Sequence, residues 1–182
     1  MILALADIKA LLGETTDDNN AIITNIIEEA QVVAESYIGR ALESGSVTDF
    51  LDGNGESIVN LPSYPVSAMT SFEYNTGTIS TPVWTAFDAD TYSVKGDTGQ
   101  IRIKGRTPRW FNNIKVVYVA GYTSNNVPKD IIRCLKDMVV YFWNTKDTGG
   151  ISSETIDGSS VTFDSRKKPD MSLLDPYRSI YV

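Results

Sequence analysis

The chain has 182 residues, with 42% hydrophobic and 21% charged side chains, a formal net charge of −7 and no histidine. This length and composition predict one domain with a sizeable core, or one domain with an inserted subdomain. The acidic balance argues against tight wrapping of nucleic acid, which needs many basic contacts to phosphate, and no apolar run of about 18 residues would span a membrane. The first residues lack the basic start of a signal peptide, and the one cysteine, Cys134, excludes an internal disulfide and suits a reducing compartment.

Two helices are predicted at the start of the chain. Leucine and isoleucine recur at helical spacing in residues 5–12, and a glycine directly after them is placed to end this short helix. In residues 22–38 apolar side chains recur at steps of three and four, which is typical of a long amphipathic helix. Asp17 and Asp18 are its N-cap candidates, and Gly39 ends it.

Residues 46–120 have β character. The stretch SVTDFLDGNGESIVNL (46–61) predicts a strand, a turn and a strand, with Gly53-Asn54-Gly55 supplying the positive φ angles of a hairpin. A second hairpin is predicted around KGDTGQ (95–100), where apolar residues alternate on both sides. Residues 114–119 are β-branched and aromatic and predict the last strand.

A second long helix is predicted from residue 128 to 146. Pro128 suits the first helical position, where its missing N–H costs nothing, and Asp130 in the first turn complements the helix dipole. The turn at 121–127 returns the chain from the β region to this helix. The polar residues 148–168 then predict a mobile loop or a short hairpin, and we hypothesise that this segment orders only on assembly.

These elements predict an α+β fold: a helical bundle of two long amphipathic helices plus shorter terminal helices, with an inserted antiparallel β subdomain. We expect a single domain over residues 1–182. Its parts are N-terminal helices (1–45), an inserted β region (46–120), a long helix (121–147), and a flexible segment with a C-terminal tail (148–182).

No catalytic apparatus is visible. The absence of histidine removes the usual general base and histidine-ligated metals. Cys134 lies beside apolar residues of a predicted helix, which favours a buried role over a reactive thiolate. The stretch DGNGE (52–56) superficially suggests a calcium loop, but it lacks the spaced acids and a distal glutamate. Asp88 and Asp90 are a close carboxylate pair, although two acids in a polar loop are common. We therefore predict no enzyme activity, no cofactor and no metal.

One basic cluster lies next to aromatic residues, which is a pattern that binds single-stranded nucleic acid. The alternation of its basic residues with isoleucine also fits the solvent face of an ordinary strand, and this simpler interpretation is favoured. A third interpretation, a carbohydrate-binding β module, would use Trp84, Trp110 and Tyr92. The cluster comprises Lys95, Arg102, Lys104, Arg106 and Arg109, followed by Trp110 and Phe111.

Charge is distributed unevenly. Residues 1–45 carry eight acidic and two basic side chains, whereas residues 113–182 carry nine basic and eight acidic ones. An acidic helical region beside a neutral remainder favours plain solubility, and it is also compatible with one face of an assembly that meets its complement.

Taken in order, several segments resemble the head–tail connector (adaptor) proteins of tailed bacteriophages. LADIKALLG resembles the family's opening helix, with Leu5, Lys9 and Leu12 in the usual pattern, and the following helix closes on Gly39-Arg40 as in the family. LPSYPVSAMTSF is similar to a Pro-Val strand of these proteins. VVYVAGYTSNNVPKDI resembles their Tyr-x-x-Gly-Tyr, short loop and Pro-led helix, SETIDGSSVTF resembles a segment of some members, and LLDPYRS resembles their ending. The β region is longer than in the mostly helical members.

The resemblance implies a structural virion protein, made in the bacterial host cytoplasm, that joins the phage head to the tail. Family members form a ring of about a dozen copies beneath the portal, extend the DNA channel without specific DNA binding, and contact a stopper or tail-completion protein. The alternative within the virion is that the chain is itself a stopper or tail-completion protein.

Two sets of candidate residues follow from this expectation. The first is a portal-docking tail within residues 170–182; the alternative is that this tail packs against its own helices. The second is a set of charges between neighbouring subunits. The tail candidates are Leu173, Leu174, Tyr177, Arg178, Ile180 and Tyr181. The interface candidates are Glu28, Glu29, Glu35, Arg102, Lys104 and Arg106.

Overall fold

The computed structural model describes residues 1–146, 153–156, 159–162 and 169–179. By their internal contacts these residues form two compact units. Unit 1 contains Met1–Gly39 and the described part of Ser124–Arg178, and unit 2 contains Arg40–Thr123 with Ser179.

Unit 1 is helical, and both of its long helices lie where the periodicity predicts them. Pro128 directly precedes the last of them, so the helix begins one residue later than expected. The bounds are α1 (Leu5–Leu12), α2 (Asn20–Ile38), α3 (Lys129–Thr145) and a C-terminal 3₁₀ helix (Met171–Tyr177).

The start of α2 differs from the prediction. Asn19 is its N-cap residue and makes no side-chain capping bond, so the capping role expected of Asp17 or Asp18 is wrong. Asp17 instead accepts hydrogen bonds from Lys9 Nζ at 2.7 Å and from Asn20 Nδ2 at 3.0 Å. These bonds hold the pKa of Asp17 below its usual value. The end of α2 is as expected, because Gly39 adopts the left-handed conformation with φ of 81°.

The core of unit 1 is built from one face of each helix. Isoleucine and alanine side chains of α2 are buried at steps of three and four, and the hydrophobic side of α3 is buried likewise. Leu174 of the 3₁₀ helix is fully buried with them. The fully buried members of this core include Ile8, Ile23, Ile27, Ile38, Ile131, Leu135 and Leu174.

Unit 2 is a two-layer β structure in which every named strand pairing is antiparallel. Its strands are β1 (Gly45–Gly53), β2 (Ile58–Asn60), β3 (Val66–Asn75), β4 (Trp84–Ala86), β5 (Tyr92–Lys95), β6 (Gln100–Ile103) and β7 (Trp110–Ala120). One sheet has four strands in the order β1-β7-β3-β4, and the other has three in the order β2-β6-β5.

A single hydrophobic cluster is shared by the two sheets. Alternate residues of β6 and β7 point into it, as expected of strands with one solvent-facing side. Phe72 stacks on Phe87 with ring centroids 4.2 Å apart and meets the edge of Tyr92 at 5.1 Å. The buried members are Val59, Leu61, Phe72, Ile101, Ile103, Ile114, Val116, Tyr118 and Ala120.

The two predicted hairpins have different outcomes. The hairpin around residues 95–100 is confirmed: β5 and β6 pair in register, with Gly99 in the left-handed conformation. The hairpin predicted at Gly53-Asn54-Gly55 is wrong, because β1 pairs with β7 and β2 pairs with β6. The glycine-rich stretch therefore carries the chain from one sheet to the other.

The predicted fold class is also wrong. Among the described residues, the seven strands of unit 2 form two sheets with their own core, so the protein is a mixed, strand-rich fold and not a helical bundle of two long helices with an inserted β region. Helical periodicity is visible within one short window of sequence. The pairing of β1 with β7, more than fifty residues apart, leaves no such local pattern. Prediction from the sequence therefore gave the helices too large a part in the fold and the sheets too small a one.

Tyr118 carries a polar contact at the boundary of the unit 2 core. Its hydroxyl donates to Asp49 Oδ2 at 2.6 Å and accepts from the Ser63 N–H at 3.3 Å. Burial and then the hydrogen bond to Asp49 raise the pKa of Tyr118 well above its usual value. The folded state therefore holds this proton more tightly than the unfolded state does.

We expect the free energy of unfolding to be pH-dependent through Tyr118. The contribution of the Tyr118 proton to the free energy of unfolding is fully present below about pH 10, the pKa of tyrosine in the unfolded chain. Above that pH it decreases by up to about 1.4 kcal/mol per pH unit. Tyr118→Phe should remove that component and cost about 1 kcal/mol at neutral pH. Urea unfolding between about pH 8 and about pH 11 measures both effects. Tyr74→Phe is the control, and an identical alkaline slope in both variants would contradict the assignment.

The two ends of unit 2 are bound to each other. The Ser44 N–H donates to the Tyr122 carbonyl at 2.9 Å, and the Tyr122 N–H donates to the Leu42 carbonyl at 2.7 Å. The β1–β7 ladder continues directly from this point, with Gly45 opposite Ala120. The chain thus enters and leaves unit 2 through one pair of hydrogen-bonded strands.

The polar segment 148–168 is described only at residues 153–156 and 159–162. There the backbone forms an antiparallel hairpin of β8 (Ser153–Ile156) and β9 (Ser159–Thr162), which agrees with the short hairpin that was one of the two alternatives. The rest of that segment, and with it the hypothesis of ordering on assembly, lies outside the described residues. Within the described part of the chain, no helix has the length and apolar character needed to cross a membrane.

Candidate interaction surfaces

The exposed side of α2 combines acidic and apolar residues. Ile22, Val32 and Val33 are among the exposed large hydrophobic side chains, and Val32 is 60% exposed. Glu28 and Glu29 are exposed beside them, and helical spacing places all five on one side of the helix. We call these five residues the α2 stripe. No lysine or arginine occurs between Asn20 and Ile38, so all charged side chains of α2 are acidic.

The third predicted acidic residue of α2 lies at the margin of this stripe. Glu35 is half-buried and accepts a hydrogen bond from Gln31 Nε2 at 3.0 Å. Its carboxylate is therefore held along the helix.

The predicted basic residues of unit 2 lie on the solvent side of the three-stranded sheet. Ile101 and Ile103 are buried, and Arg102 and Lys104 alternate with them in solvent. Arg102 Nε donates to Gln100 Oε1 at 3.0 Å. Arg106 follows and is exposed. Arg102, Lys104 and Arg106 are thus all exposed, and we call these three residues the basic strip.

An exposed aromatic surface lies at the beginning of β7. Trp110 and Phe111 are 58% and 77% exposed, and Ile79 in the loop between β3 and β4 is 78% exposed. Ile79, Arg109 and Trp110 line one groove, and Arg109, Trp110 and Phe111 line another with the loop after β1. We call Ile79, Val83, Arg109, Trp110 and Phe111 the aromatic edge.

Buried polar side chains hold the aromatic edge in place. The Gly53 N–H donates to Asn113 Oδ1 at 2.7 Å, while Asn113 Nδ2 donates to the Pro108 carbonyl at 2.9 Å. The Gly55 N–H donates to Thr107 Oγ1 at 3.0 Å. Sequence reasoning missed both Thr107 and Asn113. The only signal was an Asn-Asn pair inside a strand, where asparagine is depleted.

The backbone between Phe111 and Asn113 is also fixed. Asn112 has a positive φ of 46°, and its N–H donates to Asp52 Oδ1 at 2.7 Å. Asp52, the first residue of the DGNGE stretch, thus has a backbone partner. Among the described residues, no group of three or more His, Cys, Asp or Glu is arranged to hold a metal ion.

The C-terminal segment contacts the helices of unit 1. Tyr37 Oη donates to Asp175 Oδ1 at 2.6 Å, and this hydrogen bond raises the pKa of Tyr37. The Cys134 thiol donates a hydrogen bond to the Asp170 carbonyl at 3.6 Å. Arg178 is exposed, with its guanidinium carbon 5.3 Å from the centre of the Tyr37 ring.

The predicted tail residues therefore differ in their environment. Leu174 is fully buried, and Leu173 and Tyr177 are half-buried. Arg178 is exposed. Ile180 and Tyr181 lie outside the described residues.

Other candidate chemistry is not assembled into a site. Asp88 Oδ1 accepts from the Asp90 N–H at 3.1 Å and so caps a short 3₁₀ turn. Cys134 is fully buried, and burial raises the pKa of its thiol to about 11. Tyr92 and Trp84 of the carbohydrate-binding interpretation do not converge, because Tyr92 packs edge-on against Phe72 of the core whereas Trp84 contacts exposed Phe50.

Comparisons with known proteins point in one direction. A family model described as head completion protein matches residues 1–180. Among curated proteins, none matches this chain.

Solved structures that share the fold come from gene transfer agent (GTA) particles. A chain of the neck of an empty GTA particle, computed with C6 symmetry, has a TM-score of 0.66 at 15% identity. A chain of the native GTA virion has a TM-score of 0.64 at 16% identity, and one of the native GTA neck, computed with C12 symmetry, has 0.60 at 17%. Each match covers 100% of this chain and 91% of the other.

The family match spans nearly the whole sequence, including both units, so it does not rest on a shared fragment. It confirms the resemblance to phage head–tail connectors that the order of the sequence segments indicated. The chain therefore belongs to the head completion protein family and is a structural virion protein of the phage head–tail junction.

Proposed function

We propose that the chain forms a closed ring at the head–tail junction, beneath the portal, that continues the DNA channel and presents a surface to a stopper or tail-completion protein. The family match over residues 1–180 carries this proposal. The similar chains come from particles whose necks were computed with C6 and C12 symmetry, which supports a cyclic arrangement. In this role the chain performs no catalysis. A net charge of −7 also suits a wall along which DNA slides without being held.

A ring requires each subunit to present two different surfaces, because a heterologous contact closes by rotation. The acidic side of α2, with Glu28, Glu29 and Glu35, is one such surface in our proposal. The basic strip of Arg102, Lys104 and Arg106 is the other. Opposite charges at the rim of an interface speed association and fix its register more than they add affinity.

Reversal of the α2 charges is expected to weaken the assembly. Glu28→Lys with Glu29→Lys should raise the protein concentration needed for ring formation by about tenfold or more at low salt, because like charges then face each other. Native mass measurement over a concentration series, with and without portal rings, measures this.

The control changes the total charge equally at exposed acids of unit 2, as Asp90→Lys with Asp97→Lys. Equal assembly of both double variants would contradict the charged contact. If the wild-type chain stays monomeric and unbound when portal rings are present, the ring itself is contradicted.

We further propose that the end of the chain contacts the portal. Arg178 directly follows the C-terminal 3₁₀ helix and is exposed, whereas Leu174 is buried in unit 1. Arg178→Glu is expected to lower portal capture in a pull-down by about tenfold while the helical circular dichroism signal stays unchanged. Undiminished capture would contradict the proposal and favour the alternative, in which the tail only packs against the helices of its own chain.

A further inference from the structure

We infer that the aromatic edge of one copy docks on the α2 stripe of the next copy around the ring. This inference rests on the proposed ring and identifies the apolar centre of its subunit contact. The partner is thus a second copy of this chain, and the two surfaces that meet belong to different units.

The distribution of exposed apolar side chains is the first argument. Soluble monomers rarely expose contiguous apolar patches, and such patches mark interaction sites. Here both units expose large hydrophobic side chains, and those of the α2 stripe and of the aromatic edge are among them. The α2 stripe includes Ile22, Val32 and Val33, and the aromatic edge includes Ile79, Val83, Trp110 and Phe111.

The rigidity of the aromatic edge is the second argument. Binding energy at interfaces is concentrated in a few large anchors, among which tryptophan is enriched, and anchors held in their bound position lose little entropy on docking. Asp52, Thr107 and Asn113 fix the backbone beneath Trp110 and Phe111 through hydrogen bonds. Asn75 does the same for the loop that carries Ile79, accepting from the Gly77 and Val83 N–H groups at 2.8 and 3.0 Å.

Charge complementarity favours the α2 stripe as the partner of the aromatic edge. The aromatic edge contains Arg109 and lies close in sequence to exposed Arg106, while residues 75–87 are uncharged. One carboxylate, Asp52, lines the second groove beside Arg109, and it is held by the hydrogen bond from the Asn112 N–H. The α2 stripe presents valine and isoleucine flanked by Glu28 and Glu29, with no basic residue on the helix. Both surfaces therefore expose apolar side chains, and Arg109 of the aromatic edge is opposite in charge to Glu28 and Glu29 of the α2 stripe.

Self-pairing of either surface is disfavoured by the same charges. Two aromatic edges would bring arginine against arginine, and two α2 stripes would bring glutamate against glutamate. The contact is thus heterologous, and each subunit is left with one surface of each kind to continue the ring.

Cysteine cross-linking tests the contact directly. The double variant Val32→Cys/Phe111→Cys, assembled on portal rings and treated with a short bifunctional maleimide, is expected to give a ladder of covalent dimers, trimers and larger species. Each single variant should give no covalent dimers after the same treatment, because position 32 of one copy faces position 111 of the next and not position 32. The wild type is a further control, since its native Cys134 is fully buried. Val33→Cys/Ile79→Cys repeats the test with both aromatic anchors retained.

The outcomes separate this inference from the proposed function. A ladder in the double variants and none in the single variants supports it. Assembly on the portal without a ladder in either double variant overturns the inference and leaves the ring standing, and cross-linked dimers of the single Phe111→Cys variant overturn it in favour of self-pairing. If the wild-type chain does not assemble on the portal, the proposed ring fails and the inference fails with it.

Discussion

Leu174→Ala is expected to lower the free energy of unfolding by about 2 to 5 kcal/mol, because it leaves a cavity in the core of unit 1. Leu174 is the one fully buried side chain of the C-terminal 3₁₀ helix, within its described residues. Urea or thermal unfolding, followed by the helical circular dichroism signal, measures the loss. Such a loss is a large share of the total stability of an ordinary domain.

Leu173→Ala is the matched control, since Leu173 is half-buried and should cost clearly less. Cys134 gives a second readout. Its thiol lies beneath Asp170 at the start of the same segment, so loosening of that segment should raise the rate at which a thiol reagent modifies Cys134. Equal stability of the two alanine variants, with equally slow modification, would refute this account of the segment.

Gly53→Ala is expected to destabilise unit 2 by about 3 kcal/mol or more, because the added methyl has no space. A Cβ atom at Gly53 would lie 1.7 Å from the Pro108 carbonyl oxygen and 2.6 Å from Asn113 Oδ1. The backbone at Pro108 and the Asn113 side chain would have to move away, and the hydrogen bond from the Gly53 N–H to Asn113 would break. Equilibrium unfolding in urea measures the change.

Gly105→Ala is the control for Gly53→Ala. Gly105 has no positive φ, and a Cβ there would meet nothing within 4 Å, so its substitution should change stability by less than about 0.5 kcal/mol. We also expect Gly53→Ala to reduce ring assembly, since it displaces the base of the aromatic edge. If the Gly53→Ala variant were as stable as Gly105→Ala, the prediction would be wrong, because the surrounding backbone could then move to accommodate the methyl group at little cost.

The helices were the part of the fold that the sequence predicted best. The apolar spacing that identifies α2 and α3 lies within a single window of each, and the burial of Ile23, Ile27 and Leu135 follows directly from it. The hairpin of β5 and β6 was predictable for the same reason, because its turn and both of its strands are adjacent in sequence.

The β architecture was not predictable in the same way. Gly53-Asn54-Gly55 has the composition of a hairpin turn, yet its backbone N–H groups bind Asn113 and Thr107 from a distant part of the chain. Composition alone does not distinguish a turn that closes a ladder from a loop that crosses between sheets. The prediction of a helical bundle was wrong for this reason, because the strand pairings that form the two sheets join residues far apart in sequence.

The candidate surfaces were predicted in part. Residue type identified the acids of α2 and the basic residues that alternate with isoleucine. Trp110 and Phe111 were identified as neighbours of basic residues, and Trp110 also as a candidate for sugar binding, but their exposure was not predicted because it depends on how the strand is placed in the sheet. Leu174 and Arg178, four residues apart, have opposite environments that a terminal segment of sequence does not reveal.

The hydrogen bonds between Leu42, Ser44 and Tyr122 have a consequence for how such proteins diversify. They place the entry and exit of residues 40–123 side by side, and those residues form their own compact core. A segment with adjacent ends meets the geometric requirement of an exchangeable module. Duplication, replacement or shortening of this module would leave the helical half of the gene intact, so related phages can acquire new contacts at this position by recombination without redesigning the helices.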